Sequence, residues 1–213
     1  MKLDKILLQQ IDEIGDQHLS NTKDTPLRPD AFEMSNTEKM MLIEEKIREV
    51  LHILGMDLTD DSLCGTPKRV AKMYVNEIFS GLHPDNKPKA SSFENKYQYG
   101  EMLVEKNITL YSTCEHHLLP IVGRAHVAYI SNGTVVGLSK MNRIVDYFAK
   151  RPQVQERLTL QIVQELQNTL NIKDSLIEKK DGILKNLTFM ITGKLNGISR
   201  AEADKVTDKI KLQ

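Results

Sequence analysis

The residues best suited to chemistry are a cysteine and a histidine in one short segment, STCEHH. Cys114 and His117 are separated by two residues, a usual gap for two zinc ligands from one loop. A thiolate with an imidazole suits zinc better than magnesium or calcium, which prefer oxygen ligands. A catalytic zinc needs three protein ligands and one open position for water. The spacing alone fits equally well a half-buried cysteine beside two solvated histidines.

The elements around this segment are predicted to be two strands. Residues 102–111 and 121–130 alternate branched and polar side chains, as half-buried strands do. The pair Asn132-Gly133 is a strong hairpin signal leading into TVVGL. Two helices follow, divided by Arg151-Pro152. Five apolar residues at spacing four predict the buried face of the second helix: Val154, Leu158, Ile162, Leu166 and Leu170.

Further helices are predicted before the strands. Residues 2–17 show an amphipathic period, and a helix over 37–54 stops at Gly55. Another begins at Thr66, as a cap before Pro67, and reaches about residue 79. The stretch 83–99 is predicted to be loop. The predicted order of two strands followed by two helices indicates an α+β fold, with an antiparallel sheet covered by two helices on one face.

Composition excludes several classes of protein. The 29 basic and 29 acidic side chains cancel, so no general nucleic-acid or membrane binding is expected. Two cysteines outside any CxxC pair argue against a disulfide framework and favour a reducing cytoplasm. Neither a signal peptide nor a membrane-spanning stretch is predicted.

Several motifs together resemble the GTP cyclohydrolase I family over about residues 22–170. They are TPLRPD, TPKRVAKMYVNEIFSGL, STCEHH, VGLSKMNRIV and AKRPQVQERL, in that order. The resemblance implies the tunnelling fold and a ring-shaped homo-oligomer, commonly a decamer, with sites shared between subunits. It also implies a zinc enzyme that opens the imidazole ring of GTP with water. The products would be formate and 7,8-dihydroneopterin triphosphate, and the reaction would be the first step of tetrahydrofolate and pterin biosynthesis.

The resemblance also implies a role for each matching residue. Cys114 and His117 would be zinc ligands, and His116 would handle a proton at the purine, since imidazole titrates near neutrality. Glu156 with Gln155 would hold the guanine edge through a bidentate contact. The triphosphate would be bound by residues of two helices: Ser139, Lys140, Arg143, Arg69 and Lys72. On charge alone these four cations fit a solvated helix face, and Glu156 fits a favourable first-turn acid.

After about residue 170 the motifs of the family are absent. The family would continue with two strands carrying a histidine, a cysteine as third zinc ligand and an arginine, yet residues 171–213 contain neither histidine nor cysteine. This tail resembles the start of a BRCT domain of bacterial NAD-dependent DNA ligases, with a strand at 187–192 and a capping box at Ser199 and Glu202. A generic strand-turn-helix fits it as well.

The predicted organisation is therefore an N-terminal helical region (1–60), an incomplete tunnelling-fold domain (61–172) and a divergent tail (173–213). The missing third ligand would have to come from Cys64, a carboxylate or a neighbouring subunit. Besides the enzyme, two alternatives stay open. One is a catalytically impaired paralogue that binds GTP or co-assembles with intact subunits. The other, carried only by the tail, is a nucleic-acid module.

Overall fold

The computed structural model describes residues 22–89, 91–98, 100–131 and 133–170, together with the backbone of a strand at 187–192. Its helices are α1 (Asn36–Ile53), α2 (Thr66–Met73), α3 (Leu138–Ala149) and α4 (Gln155–Thr169). A π-helix (Tyr74–Ile78) and two 3-10 turns (Ser80–Leu82 and Pro84–Asn86) continue from α2. The strands are β1 (Ser92–Glu94), β2 (Met102–Cys114), β3 (Pro120–Ile130), β4 (Thr134–Val136), β5 (Pro152–Gln153) and β6 (Leu187–Thr192).

A four-stranded sheet organises the domain in the order β5-β2-β3-β6. The long pair β2 and β3 is antiparallel, with a bulge between Glu105 and Ile108, and the short β5 runs parallel to the end of β2. Helix α3 packs on β2, and α4 packs on α3 and on β6, which confirms the predicted α+β class. The finer assignment to the tunnelling fold stays a prediction.

The hydrophobic core lies between this sheet and the two helices. Its largest fully buried apolar side chains come from β2, β3, α3 and α4: Leu110, Val127, Tyr129, Met141, Ile144, Val145, Ile162 and Leu166. The predicted stripe on α4 is confirmed, because all five of its members are at most 9% exposed. Burying such side chains gives roughly 1.5–3 kcal/mol each, so this stripe is what holds α4 against the sheet.

Gly81 joins the N-terminal helical part to the end of α3. Its N–H donates to the carbonyl of Lys150, and its own carbonyl accepts from Arg151 Nε at 2.7 Å. A Cβ at this position would lie 2.0 Å from the carbonyl oxygen of Tyr147. Only glycine allows this close approach.

Three local predictions were wrong. The chain turns after β3 at Gly133 (φ +86°), but β4 pairs with β1 instead of forming a hairpin with β3. The reason is that Asn95 N–H donates to the carbonyl of Gly133, and this hydrogen bond places β4 beside residues 92–94. Those residues therefore form a strand within the predicted loop 83–99. The N-cap of α2 is Gly65 and not Thr66, because residues of the preceding turns already form backbone hydrogen bonds with the start of this helix.

The helix over 37–54 is confirmed as α1, which begins with a Ser35–Glu38 capping box. The predicted strand at 187–192 is confirmed as β6, which pairs antiparallel with β3 from Arg124–Thr192 to Tyr129–Leu187. The helix over 2–17, the capping box of the tail and most of the residues resembling a BRCT domain lie outside the described residues. The domain boundaries therefore stay a prediction. Within the described part, none of the helices is long and apolar enough to cross a bilayer.

Candidate functional site

The segment predicted to bind metal forms the turn between β2 and β3. Cys114 N–H donates to the carbonyl of Leu119, and Leu118 N–H donates back to the carbonyl of Cys114. Leu118 closes the turn with a left-handed backbone (φ +53°). The turn thus presents its side chains at one end of the sheet, with Cys114 half-buried and His116 and His117 exposed to solvent.

Within this turn the thiol of Cys114 lies near the ring of His116. Cys114 Sγ lies 3.8 Å from His116 Nδ1, and the rings of His116 and His117 are 6.3 Å apart at their centroids. A thiolate and imidazoles are donors that zinc accepts. Among the described residues, however, no group of three histidine, cysteine or acidic side chains surrounds a common point. Cys64 is exposed in a separate turn, where its thiol donates to the carbonyl of Asp61.

The segment predicted to hold the guanine lies directly beside this turn. In the parallel ladder Cys114 is the register partner of Gln153, and Glu115 N–H donates to the carbonyl of Gln153 at 3.1 Å. Helix α4 begins two residues later, with Gln155 half-buried and Glu156 exposed in its first turn. The structure therefore brings the predicted metal donors and the predicted guanine-binding residues to one end of the sheet.

Of the predicted phosphate-binding residues of α3, Ser139 and Lys140 lie in its first turn and Arg143 lies near its middle. Ser112 Oγ donates to the carbonyl of Ala149, so the C-terminal end of α3 is the end that lies near Cys114. Ser139 stands ten residues earlier, about 15 Å away along the axis at 1.5 Å per residue. Lys140 donates to the carbonyl of Lys89, while Ser139 and Arg143 are exposed.

The other two predicted phosphate ligands belong to the N-terminal helices. Arg69 and Lys72 are both exposed on α2. The guanidinium of Arg69 donates to the carbonyl of Ser62 and to Thr66 Oγ1. Among the described residues, no hydrogen bond or ion pair joins either cation to the turn at Cys114 or to α3. Their predicted role in phosphate binding stays a prediction.

Sequence comparison decides the family. The model of the GTP cyclohydrolase I family matches residues 43–181. GTP cyclohydrolase 1 of Flavobacterium johnsoniae is 68% identical over 164 residues, which cover 77% of this chain and 74% of that protein. GTP cyclohydrolase 1 of Aeromonas salmonicida is 48% identical over 189 residues, covering 85% and 86%, and that of Vibrio cholerae is 48% identical over 186, covering 84% and 85%. The chain belongs to the GTP cyclohydrolase I family.

Membership of the GTP cyclohydrolase I family confirms the prediction of an enzyme of that family. The family match ends at residue 181, somewhat beyond residue 170, where the resemblance was expected to stop. The comparisons leave the BRCT-like stretch untested.

The sequence analysis missed two residues that pair with each other beside this turn, Glu115 and Arg157. Arg157 is 3% exposed, and both of its terminal nitrogens bind the carboxylate of Glu115. A signal was present, because polar residues also recur at spacing four beside the apolar stripe of α4: Arg157, Gln161 and Glu165. A polar row next to a buried stripe indicates polar groups that are buried in pairs.

Proposed function

We propose that this chain is a GTP cyclohydrolase I that opens the imidazole ring of GTP with water, releasing formate and 7,8-dihydroneopterin triphosphate. The proposal rests on family membership and on one observation in the structure. The register of β2 with β5 puts Cys114 next to Gln153, and hence the turn 114–117 next to the first turn of α4. A guanine held by α4 would present its imidazole ring to that turn.

The first turn of α4 supplies the groups that would recognise guanine. The carboxylate of Glu156 can accept hydrogen bonds from N1–H and from the exocyclic amine together, which adenine cannot offer. Glu156 is exposed and Gln155 is half-buried, so the carboxylate is accessible to a ligand. The backbone N–H groups at this helix end add a favourable dipole for the carboxylate itself.

His116 is placed to move a proton during ring opening. Its ring lies in the solvent-facing turn, with Nδ1 at 3.8 Å from Cys114 Sγ and Nε2 at 3.8 Å from Glu115 Oε1. An imidazole exchanges protons near neutral pH, which general acid–base catalysis at a purine nitrogen requires. Its role is proposed as proton transfer near N7 of the purine.

Cys114 and His117 are the residues that would hold zinc, which would supply a water with a pKa near 7 and polarise the reacting bond. The described residues provide two donors of suitable chemistry and no third. A third donor would have to come from outside the described residues or from a neighbouring subunit.

A site shared between subunits would also account for the distant cations. Ser139 and Lys140 lie at the far end of α3 from the turn of their own chain, and Arg143 lies near the middle of that helix. In a ring of subunits, the triphosphate bound at one α4 could be met by cations of the next chain. We therefore propose that the functional unit is a homo-oligomer.

The proposed reaction is tested by incubating the purified protein with GTP and zinc and measuring the fluorescence of the oxidised neopterin product. Glu156→Ala should lower kcat/KM by about a hundredfold or more, because the contact that orients the purine is lost. Gln164→Ala, a change at another exposed position of α4, is the matched control and should leave activity within about twofold. Absence of product from the wild-type protein, or equal activity in both variants, would refute the proposal.

A second candidate function is supported by the donor count. If no third ligand completes the site, the chain would bind GTP or co-assemble with an intact family member without turnover. Equilibrium dialysis with GTP and co-purification with a full-length relative test this candidate. Binding without product formation would favour it over catalysis, and absence of both associations would reject it.

A further inference from the structure

We propose that the ion pair of Glu115 and Arg157 is a positioning device that fixes the turn carrying Cys114, His116 and His117 against the start of α4. This inference rests on the proposed function, because it assigns a role within that same site. Glu115 stands between the metal donors, and Arg157 follows Glu156 directly in the chain. The pair thus joins the two segments whose relative position the chemistry needs.

The contacts of Arg157 leave it little freedom. Its side chain is 2% exposed, and its two terminal nitrogens bind the two carboxylate oxygens of Glu115, with Nη2 at 3.2 Å from Oε1. Its Nε donates to the carbonyl of Thr22 at 2.9 Å. Because the planar guanidinium of Arg157 binds the carboxylate through both terminal nitrogens, it holds the carboxylate in one orientation, which a lysine could not do.

The backbone adds a second attachment at the same place. Glu115 N–H donates to the carbonyl of Gln153, which is the register partner of Cys114. The turn is therefore held at Glu115 by its main chain to β5 and by its side chain to α4. A change in the side-chain contact would let the turn tilt about β2 and move the Cys114 and His117 donors together.

The same geometry removes one possible zinc ligand. Both carboxylate oxygens of Glu115 are engaged by Arg157, and the side chain is 16% exposed. Glu115 is thus directed towards the interior as the partner of a buried cation. It is not the carboxylate that would complete a three-donor metal site.

A matched ion pair on the same helix provides the control. Lys87 Nζ lies 2.6 Å from Glu165 Oε2, and the Glu165 side chain is 11% exposed. This pair sits at the other end of α4, two turns away from Arg157. Breaking it removes a comparable interaction from the same helix without touching the turn at Cys114.

The experiment compares Glu115→Gln and Arg157→Lys with Glu165→Gln in the full chain. Zinc affinity is measured by competition with a chromogenic chelator, alongside kcat/KM for GTP. Loss of a group that orients metal ligands costs roughly 10- to 100-fold in affinity or activity, which we expect for the two test variants. Glu165→Gln should keep zinc affinity and kcat/KM within about twofold of the wild type, even if its thermal stability falls as much as that of the two test variants.

A third readout needs neither zinc nor turnover. Hydrogen exchange of the metal-free protein should show faster exchange at the amides of Glu115 and Leu118 in both test variants, and unchanged exchange there in Glu165→Gln. If the wild type makes no product but this local change appears, the proposed reaction fails and the positioning role stands. If all three variants lose stability equally while zinc affinity and turn exchange match the wild type, the pair is merely structural and the inference is overturned.

Discussion

His126 lies in the middle of β3, where its imidazole meets the bulge of β2. Its Nδ1 accepts a hydrogen bond from the N–H of Asn107, a residue with a left-handed backbone (φ +60°). Burial, with Lys106 and Arg124 nearby, holds the pKa of His126 below its usual 6.5. The fold therefore prefers the neutral ring, which alone can accept this hydrogen bond.

This preference predicts a loss of stability in mild acid. The unfolded chain takes up a proton near pH 6.5 while the folded chain resists it, so the contribution is present above that pH and is lost as the pH falls through it. Thermal unfolding between about pH 7.5 and 5.5 should show a smaller drop in Tm for His126→Gln, which keeps an acceptor but cannot titrate. Identical pH profiles for the two proteins would contradict the argument.

At the scale of elements, β6 covers the edge of β3 that would otherwise be unpaired. The register pairs Leu187, Phe189 and Ile191 with Tyr129, Val127 and Ala125. These three residues of β3 are at most 1% exposed. Leu187, Phe189 and Ile191 thus pair with core positions of β3, and Thr188, Met190 and Thr192 alternate with them along the strand.

The register makes a specific prediction for stability. Phe189→Asp should lower the free energy of unfolding by about 3 kcal/mol, because residue 189 pairs with the buried Val127 and paired residues lie on the same face of a sheet. Thr188→Asp, one residue away, should cost less than about 1 kcal/mol. Urea unfolding of both variants is the measurement. Equal losses would show that β6 does not hold this register.

The sequence predicts well those elements that repeat a simple period. The stripe of α4 and the strands β2 and β3 follow from spacing, because each buries one face. The β1–β4 pairing could not be predicted, since it depends on a backbone bond between Asn95 and Gly133, far apart in the chain. The polar row of α4 indicates that Arg157 is buried with a partner, but it does not reveal that the partner is Glu115, 42 residues away.

At the scale of the whole molecule, the described residues of one chain hold only part of the proposed site. The turn 114–117 and the start of α4 lie together, while Lys140 lies at the far end of α3 and Arg143 near its middle. The whole α1 helix contains no buried residue, and several large apolar side chains on it are exposed, including Met41, Val50 and Ile53. Both observations favour a site completed by assembly of several chains.

We propose above all that Cys114 and His117 bind zinc beside the first turn of α4. Zinc bound per chain, measured after equilibration with zinc and exhaustive dialysis, tests it most directly. We predict bound zinc in the wild type and in Cys64→Ser, and its loss in Cys114→Ser and His117→Ala. Equal zinc content in the wild type and in Cys114→Ser would contradict the account.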